Sequence, residues 1–125
     1  MRAALPLSER VSAVVDECQR LEQSIVALVV VQVAGRFDVP AAEIMRTSRG
    51  GQGMWLAAKA RARDCAISML VTGASWPGPR AGAPFGLDKR AVSKAVSRVA
   101  DARDEDPALD QWLEACVRAL QGQFE

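Results

Sequence analysis

The sequence predicts an all-α fold: a helical bundle extended by a long N-terminal helix. Three observations predict it. Apolar residues recur at alternating spacings of three and four along the longer segments, the period of a helix face and not of a strand. Proline and glycine crowd into residues 73–86 and leave the longer segments on either side intact. With 125 residues, half apolar and a quarter charged, the chain suits one globular domain, 1–125, whose core needs no disulfide or metal staple.

The first helix is expected over residues 8–36. Val11, Val14, Cys18, Leu21, Ile25 and Leu28 form one stripe after Pro6, with Ser8 as the N-cap and an end near Gly35 or Arg36. The tract Val29-Val30-Val31 is β-branched and reads locally as a strand, but the stripe leads into it unbroken and helix is preferred. Such a long helix with a heptad-like seam packs either on its own domain or on another copy, which would make a homodimer through residues 11–28.

Asp38-Val39-Pro40 restarts the chain, with Pro40 at a favoured first helical position and a short helix through Glu43, Ile44 and Met45. Residues 46–53 form a basic, glycine-rich loop. A third helix spans 54–71, with Leu56, Ala60, Ile67 and Leu70 as core contacts, and Gly73 ends it. No regular helix of ordinary length is expected within 73–86. From Leu87 the helical pattern returns: Val92, Ala95, Val96 and Val99 make one apolar face, and Asp88 is the N-cap. Asp106-Pro107 is a cap followed by proline, opening a last helix (106–121) on Leu109, Leu113, Cys116, Val117 and Leu120.

Composition narrows the function classes. The chain has no histidine, which removes His-based metal sites, Ser-His triads and histidine acid–base catalysis. The glycine signatures of nucleotide binding are missing, and no carboxylate pairs with a recognisable catalytic partner, so neither an enzyme nor a cofactor or metal protein is expected. Cys18, Cys65 and Cys116 are widely spaced and odd in number; all three read as small core side chains in a reducing cytoplasm. The N-terminus does not read as a signal peptide. The longest apolar run, 25–31, is too short to span a bilayer, so no membrane association is expected.

The net charge of +1 hides a partition. Residues 46–98 carry ten bases (Arg46, Arg49, Lys59, Arg61, Arg63, Arg80, Lys89, Arg90, Lys94, Arg98) against two acids, Asp64 and Asp88, a net +8, and the flanks carry −7. A basic middle between acidic ends suits a polyanion. The helix from Asp88 concentrates it: opposite its apolar face lie Lys89, Arg90, Ser93, Lys94, Ser97 and Arg98. A helix about 10–12 Å across enters the major groove of B-DNA, its first turns nearest the base edges. Small serines permit close approach, and the cations reach phosphates or guanine. An amphipathic helix with a merely solvated basic face is the alternative.

The stretch Phe85-Gly86-Leu87-Asp88-Lys89-Arg90-Ala91-Val92-Ser93-Lys94-Ala95 resembles the signature of the C-terminal DNA-binding domain of the bacterial initiator DnaA, Gly-x-Asp-His-(Ser/Thr)-Thr-Val-x-His-Ala, with Gly86, Asp88, Val92 and Ala95 matching. Residues 33–45 look like that family's first helix, turn and short second helix, and Ala60-Arg61-Ala62-Arg63-Asp64-Cys65-Ala66 is similar to its Ala-Arg-x-Arg-Gln-x-Ala stretch. The resemblance covers residues 25–120. It implies a Trp-repressor-like helix-turn-helix (core 37–105) that binds double-stranded DNA: Asp88, Lys89, Arg90 and Ala91 on the turn that reads the major groove, Arg63 on the backbone, and Arg46 and Arg49 in the basic loop, Arg49 reaching the minor groove. Stand-alone proteins similar to this domain include transcription activators, among them activators of gene transfer agents in alphaproteobacteria. The implied protein is a nucleoid-associated regulator of a few promoters, with RNA polymerase or another transcription factor as further partner.

Three departures qualify the resemblance. Lys89-Arg90-Ala91 replaces His-Thr-Thr, which exchanges hydroxyl and imidazole donors for two cations and a methyl group. The loop region is longer. The first helix of the motif coincides with the Pro/Gly-rich segment 76–84, so it is either shortened to a turn around Arg80-Ala81 or degenerate, and in the latter case the chain is a protein-interaction module, dimerisation included. Trp112 reads as core, and Trp76 either fills the gap beside the broken helix or offers a ring for base stacking.

Overall fold

The computed structural model describes residues 6–45 and 53–122, the second stretch with side chains from residue 57. Among these residues the architecture is all-helical: α1 (Leu7–Phe37), α2 (Ala41–Met45), α3 (Gly53–Thr72), α4 (Gly78–Gly82), a 3-10 turn (Ala83–Phe85), α5 (Lys89–Glu105) and α6 (Pro107–Gly122). Helix α3 is the axis of the bundle and touches all five other helices. Its sequence explains why: from Cys65 to Leu70 every residue is buried, and a helix that is hydrophobic nearly all round sits in the centre. Phe85, Ile44, Ile67, Met69, Leu70, Leu113 and Leu120 are the largest fully buried side chains of the core.

Helix α1 forms as expected but packs differently. It runs to Phe37, where Asp38 turns left-handed (φ 53°), a conformation that aspartate tolerates better than most. It starts at Leu7, and the Pro6 carbonyl accepts from the amides of Glu9 and Arg10 at 3.1 Å. Ser8 therefore lies inside the first turn and caps nothing. Only Val29, Val30 and Val33 of α1 are buried in the domain; every residue from Leu7 to Leu21 is exposed. The stripe of Val11, Val14, Cys18 and Leu21 runs beyond the bundle with no helix beneath it, so Cys18 is exposed and not a core residue. Cys65 and Cys116 are buried, as read from the sequence.

Two further expectations change in detail. Pro40 supplies the carbonyl that accepts the first amides of α2 instead of its first helical residue, at 3.0 Å from Glu43 and 3.3 Å from Ile44. Ala60 is exposed, because the buried arc of α3 passes through Lys59, Ala62 and Ala66 instead. Ile67 and Leu70 are core, and Leu56 lies outside the described side chains.

Segment 73–86 holds only single-turn pieces. Pro79 sits in the first turn of α4, where a missing N–H is harmless, and Pro84 occupies the 3-10 turn. Trp76 is buried and fills the space beside them, with the Arg80 guanidinium 4.4 Å from its ring centre. Its ring is thus unavailable for base stacking. Trp112 is half-buried, edge-on to Phe37 at 6.1 Å.

Candidate nucleic-acid interface

Helix α5 is positioned by a close approach and two caps. Gly82 at the end of α4 lies so near the following turn that a Cβ there would meet the Leu87 carbonyl oxygen at 2.4 Å and Val92 Cγ2 at 2.6 Å. Gly86 then takes a left-handed φ of 68° and reverses the chain. Asp88 caps α5, its Oδ1 accepting from the Ala91 amide at 2.8 Å. At the far end the Asp106 carboxylate accepts from the amides of Ala108 and Leu109 at 3.1 and 3.2 Å and starts α6. Val92, Ala95, Val99 and Ala102 hold α5 against the core, with Val96 half-buried beside them.

The opposite face of α5 is not covered by any of the described residues. Lys89, Arg90, Ser93, Lys94 and Ser97 are all exposed, and at 100° per residue they share one arc opposite the core side. Lys89, Arg90 and Lys94 have no ion-pair partner among the described residues. Apart from the Asp88 cap and Arg103 in the last turn, the charges along α5 run against the helix macrodipole. Lys89 and Arg90 stand in the first turn, at the positive end, while Asp101, Asp104 and Glu105 gather at the negative end. Each such placement disfavours the isolated helix by about 0.3–1 kcal/mol. An anion at the N-terminal half would relieve it.

Other predicted site residues have different surroundings. Arg98 forms a fork with Asp64 of α3, Nε to Oδ2 at 2.8 Å and Nη2 to Oδ1 at 3.0 Å, so its charge ties α5 to α3. Arg63 is half-buried; its Nε donates to the Ile44 carbonyl at 3.1 Å, and burial pulls its ionisation below the ordinary arginine range. Both guanidinium groups are engaged within the fold. Asp88 serves as a cap, and Ala91 is half-buried one turn into the helix. Arg61 is exposed one turn before Asp64 on α3. Arg46 and Arg49 lie outside the described residues.

Several engaged charges escaped the sequence reading. Lys59 is buried with its Nζ 3.7 Å from Glu43 Oε2, joining α2 to α3, and Arg80 pairs with Glu22, joining α4 to α1. For Arg98 the available signal was Asp64, one of two acids among ten bases in residues 46–98; Lys59 and Arg80 pair with acids outside that segment, which gave no such signal. Comparison with protein-family models, with curated proteins and with solved structures finds no match to this chain.

Proposed function

We propose that the chain binds double-stranded DNA in a sequence-specific manner and regulates transcription at a few promoters, as an activator. One observation carries this reading: five basic and small polar side chains with no partner among the described residues, Lys89, Arg90, Ser93, Lys94 and Ser97, share the exposed arc at the N-terminal half of a helix whose other side is core. That half enters the major groove, where cations contact phosphates or guanine and the serines allow close approach. The acids at the C-terminal end keep the rest of α5 off the backbone.

Further support comes from the single-turn α4, the Gly86 reversal and the Asp88 cap, which stand in the order of a shortened helix-turn-helix. The resemblance to the DnaA C-terminal domain lies on the same residues, and it extends the reading to stand-alone activators and to RNA polymerase as partner. Arg61 is the candidate for a supporting phosphate contact, whereas Arg63 and Arg98 act within the fold.

The test is selection of the purified protein against fragmented DNA from its source, then titration of the enriched fragments with an Arg90→Glu/Lys94→Glu variant. Loss of binding with unchanged helical content and melting temperature is the expected result. A variant that binds as well as the parent would overturn the proposal. Lys89→Ala and Lys94→Ala should each lower the slope of log K against log salt by about 0.9, one phosphate contact apiece.

A further inference from the structure

The N-terminal half of α1 is a long helical arm whose apolar side faces water. Leu7, Val14 and Leu21 are 67, 62 and 56% exposed, and Val11, Val15, Leu28 and Cys18 are exposed with them. Little local support holds this arm in helical form beyond Glu9 in the first turn and the Glu17–Arg20 pair. Its N-terminus has no side-chain cap, Val11, Val14 and Val15 are poor helix formers, and an isolated helix of this length is marginal in water.

The apolar residues of this segment follow a heptad. Val11, Cys18 and Ile25 take position a, and Leu7, Val14, Leu21 and Leu28 take position d, with no charge on the seam. β-Branched residues at a with leucine at d favour two parallel strands. The flanks permit it: the Glu17 and Glu22 carboxylates, which would approach each other across a parallel pair, are already bound by Arg20 and Arg80 of their own chain. The seam meets the domain only near its C-terminal end, where Ile25 is partly buried against the core. Leu28 stays 45% exposed next to buried Val29, so the core lies to one side of the coil.

We propose that two copies of this chain pair through residues 7–28 of α1 as a parallel, in-register coiled coil. Such a seam is about 33 Å long and buries on the order of 600 Å² per copy, the lower edge of stable interfaces. Left open, it would be an apolar patch larger than monomers commonly expose. The parallel arrangement sets both domains at one end of the coil. On the DNA-binding reading above, the dimer presents two α5 helices to a two-fold related site.

Sedimentation of the full chain between about 1 and 100 μM tests the pairing without DNA. The expected mass is twice 13.4 kDa. Val14→Glu/Leu21→Glu should give the monomer mass with the tryptophan near-UV spectrum of the core retained. A parent protein that stays monomeric at 100 μM, or a double variant that stays dimeric, overturns the proposal; the first result would leave the seam to a different partner. Orientation has its own test. In register, the two Cys18 thiols face each other, and oxidised glutathione should join them: one S–S bond forms, and two molecules of reduced glutathione carry off the electrons and protons. Cys18→Ser should abolish this cross-link while the protein remains a dimer by mass. A dimer that never cross-links through Cys18 overturns the parallel register. Because Arg90→Glu/Lys94→Glu leaves the seam untouched, its mass should stay that of the parent, and failure of the DNA reading is distinguishable from failure of the pairing.

Discussion

Lys94 and Arg98 lie one turn apart on α5, yet they have different employment. Lys94 is exposed and unpaired among the described residues, while Arg98 forks onto Asp64, whose side chain is only 12% exposed. Arg98→Ala should therefore lower stability by about 1–2 kcal/mol in chemical denaturation, since it strands a largely buried carboxylate, with an allowance for the exposure of the arginine itself. Lys94→Ala should leave the denaturation midpoint in place. The thiols divide in the same way. Burial pushes Cys65 up to about 12 from an ordinary value of 9.0, and burial raises Cys116 too, whereas Cys18 is exposed. A thiol reagent should label Cys18 at once and the other two only on unfolding. Above pH 9 the unfolded chain loses the Cys65 proton and the folded chain keeps it. Stability should thus fall by about 1.4 kcal/mol per pH unit between 9 and 12, and the Cys65→Ala variant should lack this component of the slope.

The junction between α4 and α5 is the element on which the proposed interface depends. A single helical turn, a 3-10 turn and a left-handed glycine replace the ordinary helix that the prolines forbid, and Gly82 is what lets them pack. Gly82→Ala would drive its methyl group into the Leu87 carbonyl and Val92. A loss of roughly 2 kcal/mol or more is expected, read as a drop in melting temperature, together with weaker DNA binding because α5 is displaced. Helix α5 carries charges that follow the dipole rule and charges that oppose it: the Asp88 cap and Arg103 in the last turn follow it, while Lys89 and Arg90 in the first turn and Asp104 and Glu105 in the last oppose it. The two first-turn cations fit a helix that meets an anion with its first turns.

For the molecule as a whole, α3 divides the work. One side of the bundle presents the basic arc of α5, and α1 leaves the domain as an apolar arm. Between α1, α2 and α4 lies an open groove of about 870 Å³, lined mainly by apolar residues such as Val26, Val30, Met45 and Trp76, with the Glu22–Arg80 pair at its edge. That pair and the buried Lys59–Glu43 contact bind the peripheral helices to the frame. The cations thus fall into two kinds, those that hold helices together, such as Lys59, Arg80 and Arg98, and those facing solvent, such as Lys89, Arg90 and Lys94 on α5 and Arg61 on α3.

Helix existence, the Asp88 and Asp106 caps, the broken segment 73–86 and the apolar faces of α5 and α6 were all legible in the residues, because each depends on neighbours within a turn or two. The basic arc of α5 was legible for the same reason. What required the fold were the assignments made by distant partners. Arg63 finds the Ile44 carbonyl 19 residues away, Arg98 finds Asp64 34 residues away, and Arg80 finds Glu22 58 residues away. Periodicity marks Val11, Val14, Cys18 and Leu21 as an apolar stripe but is silent on what lies beneath it. Only the packing of the domain, which buries α1 at Val29, Val30 and Val33 and partly covers Ile25 and Val26 before them, leaves that stripe in water. Local chemistry sets which residues can be helical, whereas burial and charge pairing are properties of the space between helices.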